Sequence, residues 1–265
     1  MDDRVILEKF LCFDLTSTNS VFDEFAGLDN AVYYGELFGS DDFIYVPGTR
    51  RDRVVLVAHA DTYWNGMIPD SDIQHRVVWD KGGYYRSGDP AIGIGADDRA
   101  GCAIVYLLKD LGHSLLITSG EEIGSLGARR IREDCPRLYD ELNEHQYMIE
   151  FDRCNARDYK VYNIPVSEEF QQFIEDNTGY REAGKSSSTD ITILCRKICG
   201  ANLSVGYYAE HTPDERLVYG EWKNTLDIAR KMLFGEQKKF PVLKHPANLG
   251  RAGVRRLSSD YLFEE

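Results

Sequence analysis

The sequence predicts one α/β domain: a mixed, mostly parallel sheet with helices packed on both faces. Three observations lead there. Apolar, β-branched runs of strand length, such as 53–59 and 114–118, alternate with segments of helical periodicity. A chain of 265 residues that is 43% hydrophobic and 28% charged can bury one large core. Acids and histidines recur where those strands stop, the edge at which ligands bind in parallel α/β sheets.

In chain order, residues 5–13 have apolar positions at helical spacing and form a first helix, ending near Thr16-Ser-Thr-Asn-Ser20. A short helix at 21–25 follows. Residues 31–38 and 42–46 form two strands joined by a turn at Gly39-Ser-Asp-Asp42. Residues 53–59 form a central strand buried on both faces. Residues 62–90 are dense in turn signals, Trp64-Asn-Gly66, Asp80-Lys-Gly-Gly83 and Ser87-Gly-Asp-Pro90. Within them 76–79 and 83–86 pair as a hairpin, either a flap over a site or a surface excursion. A helix at 98–111 offers Ala100, Ala103, Ile104, Leu107 and Leu108 for packing. Then come a strand at 114–118, a helix at 126–132, strands at 146–152 and 159–162, a helix at 168–177, a strand at 201–206 and a long amphipathic helix at 215–234. Beyond Gly235 the pattern stops. The domain is therefore assigned to 1–235. Residues 236–265, with Pro241, Pro246, Gly250 and Gly253, are an irregular C-terminal tail, packed on the domain or partly disordered.

The net charge of -13 and the pI of about 5.0 argue against nucleic acid and anionic membranes as partners, and leave room for a site that collects carboxylates around metal ions. The six cysteines, Cys12, Cys102, Cys135, Cys154, Cys195 and Cys199, form no Cys-x-x-Cys pair, which argues against thiolate metal sites and thioredoxin-type chemistry. Met1-Asp-Asp-Arg4 is charged, no apolar signal region follows, and no stretch is long enough to span a membrane. A cytoplasmic protein with free thiols is the expectation.

Five short stretches carry chemistry. Ala58-His-Ala-Asp61 ends the central strand, and strand alternation puts His59 and Asp61 on one face. His59 can ligate a metal through one ring nitrogen while Asp61 accepts from the other and fixes the tautomer; a polar strand end is the plainer alternative. Gly93-Ile-Gly-Ala-Asp-Asp-Arg-Ala-Gly101 surrounds Asp97 and Asp98 with small residues at a helix mouth, where a carboxylate either reaches a cation or caps the helix. Glu121 and Glu122 lie between a strand and a helix. Adjacent side chains there diverge, so one can bind while the other moves a proton; otherwise both are solvated acids at a helix start. Asp152 ends a further strand, and His211 sits between the last strand and the last helix. Singly, these fit a solvated acid and a loop histidine. Together His59, Asp97, Glu122, Asp152 and His211 make a mixed nitrogen–oxygen set suited to zinc or a similar divalent ion. If Asp97 bridges, each of two ions takes one histidine, one terminal carboxylate and the shared one. Glu121 is left outside the set, beside the metal-held water, as a general base should be.

The stretches 54–61, 95–101, 119–124, 149–152 and 207–211, in this order, resemble the co-catalytic zinc exopeptidase clan. That clan includes the leucyl-aminopeptidase-like, aminoacylase-like and glutamyl-aminopeptidase-like families. The resemblance implies a zinc-exopeptidase (phosphorylase/hydrolase-like) fold with two metal ions. It implies that His59 and Asp152 hold one ion, Glu122 and His211 the other, and that Asp97 bridges them, ahead of a cis peptide to Asp98. It makes Glu121 the catalytic base for the bridging water and Asp61 the group that orients His59. Many clan members carry an inserted lid or dimerisation domain. The gaps 59–97 and 152–211 have no room for a second core, so the nearest outline is a lid-less leucyl-aminopeptidase-like member.

The expected activity is removal of N-terminal residues from short peptides. An N-acyl amino acid amidohydrolase or a carboxypeptidase is the alternative and needs a cation for the substrate carboxylate, for which Arg99, Arg153 and Lys185 are candidates. A catalytically silent binding protein is the second alternative; the complete ligand set and Glu121 argue against it. Asp190 either lines the pocket or caps a helix. The aromatic segment 62–86, with Trp64, Trp79, Tyr84 and Tyr85, closes over substrate or packs in a dimer contact.

Overall fold

The computed structural model describes residues 2–35, 39–65, 75–184 and 186–243. Helix α1 (Asp3–Leu11) starts where the Asp2 carboxylate accepts the Arg4 N–H at 3.0 Å, and it buries Ile6, Leu7, Phe10 and Leu11. Helix α2 (Asn19–Ala26) buries Val21, Phe22 and Phe25.

The main sheet has eight strands, in the order β1 (Val32–Tyr34), β2 (Phe43–Val46), β6 (Ser114–Thr118), β3 (Val55–His59), β7 (Met148–Arg153), β10 (Gly200–Ser204), β8 (Asp158–Lys160) and β9 (Arg181–Glu182). Strands β6, β3, β7 and β10 pair in parallel, so their C-terminal ends share one edge. Pairing is antiparallel at β1–β2, β2–β6 and β10–β8.

All five residues of β3 are buried, because both sheet faces are covered. Leu56 and Ala58 enter one core with α1, α2, α3 (Ala96–Leu107), α6 (Glu168–Thr178) and α8 (Tyr219–Phe234). Val55 and Val57 enter the other with α4 (Leu126–Asp134), α5 (Pro136–Leu142) and α7 (Asp190–Leu194). Each such leucine or valine side chain contributes about 1.5–3 kcal/mol on full burial.

The hairpin expected at 76–86 forms, as β4 (Val77–Asp80) and β5 (Tyr84–Ser87). It is no lone excursion. With β12 (Arg216–Val218) and β11 (Tyr207–Tyr208) it builds a second, four-stranded antiparallel sheet. That sheet is fixed to α1: the Arg4 guanidinium lies 4.3 Å from the Trp79 ring, and the Tyr85 hydroxyl donates to Glu8 at 2.6 Å. Residues 66–74 of the expected irregular segment lie outside the described residues, as do 36–38 of the expected first strand.

The last helix starts at Tyr219 rather than 215, because 216–218 pair with β5 as β12. Helices α5 and α7 and the short β9 and β11 had no sequence signal. Of the expected tail, residues 236–243 pack against the domain; Phe240 is buried in a ring cluster with Tyr147, Phe170 and Phe173. Residues 244–265 lie outside the described residues. All six cysteines are free, and among the described residues no helix is long and apolar enough to cross a membrane.

Candidate metal centre

Parallel pairing brings the ends of β6, β3 and β7 side by side, and these strands deliver three of the five stretches. His59 ends β3, Glu121 and Glu122 follow β6, and Asp152 lies near the end of β7. Asp97 enters at the mouth of α3, joined to Asp98 by a cis peptide, as the resemblance implied. His211 enters from the loop between β11 and β12, with its own φ at 61° in the left-handed region.

The two histidines approach opposite oxygens of Asp97. His59 Nε2 lies 3.2 Å from Asp97 Oδ1, and His211 Nε2 lies 3.2 Å from Asp97 Oδ2. His59 Nε2 is also 3.3 Å from Asp152 Oδ1, and His211 Nε2 is 2.9 Å from Glu122 Oε2. All five expected ligands therefore meet. The Tyr63 ring stacks on His211 at 4.7 Å, with the planes 13° apart.

Around them, the supporting contacts are specific. Asp61 Oδ1 is 3.3 Å from His59 Nδ1, and the Asp61 carboxylate also accepts the N–H groups of Glu121 at 3.3 Å and Glu122 at 3.2 Å. It therefore fixes both the first histidine and the turn that presents the two glutamates. Asp98 also lies close to His59 and Asp152, in a grouping that could hold an ion, but each of its oxygens is already engaged by an N–H group. Its oxygens accept the N–H of His59 at 3.2 Å and of Gly101 at 2.9 Å, the helix-capping role the sequence left open. The Thr189 hydroxyl touches both Asp152 Oδ2 at 2.9 Å and Glu150 Oε1 at 3.0 Å.

The donor set fits divalent cations. His59, Asp97 and Glu122 offer ligand atoms that all lie within 4.8 Å of one another. Buried Asp97 Oδ1 has no hydrogen-bond partner, and one imidazole nitrogen faces two carboxylates at each histidine. The ion pairs of these acids involve histidines and neither lysine nor arginine, among the described residues. Charge is accordingly unbalanced. Burial, then the Asp152 charge, pushes Glu121 up to about 9. Hydrogen bonds to Asp97 and Glu122 push His211 up to about 11. His59 is held well above its usual range: burial opposes its charge, but Asp152, Asp61 and Asp97 outweigh it. Nitrogen and oxygen ligands of this kind suit zinc or a similar divalent cation, whose charge would offset these carboxylates. The Glu121 carboxylate has no hydrogen-bond partner among the described residues.

The remaining candidates are placed as follows. Arg99 is fully buried and donates through Nη2 to the carbonyls of Asp14 and Ser17, both at 2.8 Å. Arg153 pairs with Asp158 at 2.9 Å and 3.0 Å. Lys185 lies outside the described residues. Asp190 neither caps nor lines an open pocket: the cap of α7 is Thr189, and Asp190 is fully buried beneath the site with the Thr118 hydroxyl on it. A cleft of about 290 Å³ opens beside Glu122, lined by residues including Thr62, Tyr63, Asn65, Ser119 and Ile123. Sequence reasoning missed Thr189, Glu150, Tyr63 and Glu215. Only the last had a signal, an acid four positions past His211.

No family model matches the chain, and no curated protein matches it in sequence. Solved structures match its fold. An aminopeptidase PepT from Bacillus cereus superposes with a TM-score of 0.64 at 13% identity, covering 88% of this chain and 98% of that one. A tripeptidase from Staphylococcus aureus gives 0.65 at 13%, with the same coverage of 88% and 98%. The TET1 peptidase of Pyrococcus horikoshii, which assembles into a tetrahedron or an octahedral shell, gives 0.59 at 14%, covering 88% and 99%. The chain has the fold of these peptidases.

Proposed function

We propose that the chain is a two-metal aminopeptidase acting on short peptides. The observation that carries this is Asp97 set between two histidines, each backed by its own terminal carboxylate, with Glu121 left unpartnered beside them. His59, Asp152 and Asp97 would hold one divalent ion, zinc first among the candidates; Glu122, His211 and Asp97 would hold the other. Such ions polarise a scissile carbonyl and make a water acidic enough to lose a proton near neutral pH. Glu121 accepts that proton and returns it to the leaving amine. Asp61 orients His59 and anchors the turn on which Glu121 and Glu122 stand.

The aminopeptidase reading is favoured over a deacylase or carboxypeptidase by the engagement of Arg99 and Arg153 elsewhere. An acidic surround suits a substrate α-ammonium group. The cleft beside Glu122 has no lysine or arginine among its described lining residues and suits an uncharged side chain. The names of the structural neighbours, an aminopeptidase and a tripeptidase, point the same way. Within the clan, the nearest outline remains a lid-less, leucyl-aminopeptidase-like member.

The test is mass-spectrometric product analysis of zinc- or cobalt-loaded protein with a mixed panel of peptides and N-acyl amino acids. Loss of single N-terminal residues is expected. Glu121→Gln should lower turnover by about 10²–10⁴-fold while still binding metal. Cleavage confined to acyl or C-terminal amides would move the assignment to the alternative. Equal, negligible turnover by both proteins would remove the enzyme reading.

A further inference from the structure

We infer that Glu215 is a positioning residue that holds the Asp97 loop and the His211 loop in register, so that one carboxylate can bridge two ions. It rests on the two-metal reading above and concerns a residue outside the ligand set. Glu215 is 1% exposed, yet no lysine, arginine or histidine pairs with it among the described residues. Its partners are backbone amides. Oε2 accepts the Gly95 N–H at 2.8 Å, Oε1 accepts the Asp97 N–H at 3.1 Å, and the Ile94 N–H also faces it. Successive N–H groups around one carboxylate form an anion nest made by the chain itself.

The carboxylate thus grips the loop at the residue whose side chain would bridge. Its own backbone lies four positions past His211, in the segment that returns from that histidine into β12. Gly93 makes the approach possible. A Cβ there would stand 2.4 Å from Glu215 Oε2 and 2.8 Å from the Thr212 carbonyl oxygen. The two loops come from segments more than a hundred residues apart, and this grip fixes the Asp97 backbone against the strand that follows His211. Outer partners of this kind typically change metal affinity by about 10–100-fold when altered.

Glu215→Gln keeps the shape but turns an NH₂ group toward one backbone N–H. Glu215→Asp keeps the charge and cannot reach both amides. Zinc binding to chelator-treated protein would be followed by titration calorimetry, with circular dichroism of the metal-free forms. Thr225→Val, which perturbs a buried hydrogen bond on α8, serves as a control for general destabilisation. The expected result is native circular dichroism with zinc affinity about 10–100-fold weaker for both Glu215 variants, and native affinity for Thr225→Val. If Glu215→Gln does not fold, Glu215→Asp alone decides. Native zinc affinity in a folded Glu215 variant overturns the inference, as does an equal loss in the control. A native chain that binds no zinc would instead overturn the two-metal reading itself.

Discussion

His145 lies at the opposite edge of the sheet from the proposed metal ligands, where β3 and β6 begin. Its Nδ1 donates to the Glu141 carbonyl at 3.0 Å, and Nε2 receives Arg53 Nε at 3.0 Å and lies 2.8 Å from Ser114 Oγ. The ring is therefore held neutral, and burial pulls its pKa down to about 4. The unfolded chain takes up this proton below about pH 6.5, whereas the folded chain does not until about 4. Stability is thus lost as pH falls through that window, by on the order of 3 kcal/mol. Urea midpoints of chelator-treated protein should fall more steeply between pH 6.5 and 4 than those of His145→Gln; parallel profiles would refute this. The proposed metal ligands were easier to read than this one. His59, Asp97, Glu122, Asp152 and His211 are legible as a set, because five acids and histidines recur in order at strand ends, a helix mouth and a loop on one edge of the sheet. Glu215 and Thr189 do not, because their partners are amides and carboxylates remote in sequence. Arg99 was one candidate cation for a substrate carboxylate, and only the fold shows its Nη2 turned toward the carbonyls of Asp14 and Ser17.

At the scale of elements, the site depends on how closely α3 approaches β7, since one carries Asp97 and the other Asp152. They meet at Gly101, where a Cβ would stand 1.9 Å from the Phe151 carbonyl oxygen and 2.3 Å from Asp98 Oδ1. The nearer obstacle is backbone and the other is a carboxylate held by the His59 and Gly101 N–H groups, so Gly101→Ala must move the helix. It should cost about 1–3 kcal/mol and weaken zinc binding as the two carboxylates separate. Gly220→Ala, on the open first turn of α8 with nothing within 4 Å, should raise the urea midpoint instead. A Gly101→Ala midpoint equal to native would show that the contact relaxes freely. The apolar runs made β3, β6 and β7 legible; the small residues around Asp97 and Asp98 pointed to an open helix mouth and not to this approach of α3 to β7. Strand β12 was not legible: Val218, Trp222 and Leu226 sit four apart, a spacing that extends the helix back into it, and pairing of Leu217 with Tyr85 decided the matter. Helix α7 spans five residues, too few to show a period.

For the molecule as a whole, the point at issue is where the folded unit stops. The helical pattern ends at Gly235, and Lys238-Lys-Phe-Pro241 resembles a solvated tail. The structure continues the core through it. The Gln237 N–H donates to Asp52 at 2.8 Å, and its side-chain amide donates to the Met232 carbonyl at 3.1 Å. The Phe240 N–H donates to the Gln146 carbonyl at 2.9 Å, and the Phe240 carbonyl accepts the Cys199 N–H at 2.8 Å. The segment therefore bridges the chain leading into β7 and the chain leading into β10, with the Phe240 ring sealing the cluster below. Phe240, Val242 and Leu243, broken by Pro241 and preceded by two lysines, give no period, which is why this edge was invisible in the sequence. Removing a buried phenylalanine alone costs about 3–5 kcal/mol. A chain ending at 235 should therefore be less stable than one ending at 243 by at least about 3 kcal/mol in urea. Its folded fraction should bind zinc with the same affinity, because the lost contacts lie at the strand starts and the ligands at the strand ends. Equal urea midpoints would make 236–243 a passive tail. A loss of zinc affinity in the folded fraction would mean that the two edges of the sheet are coupled through β7 and β10.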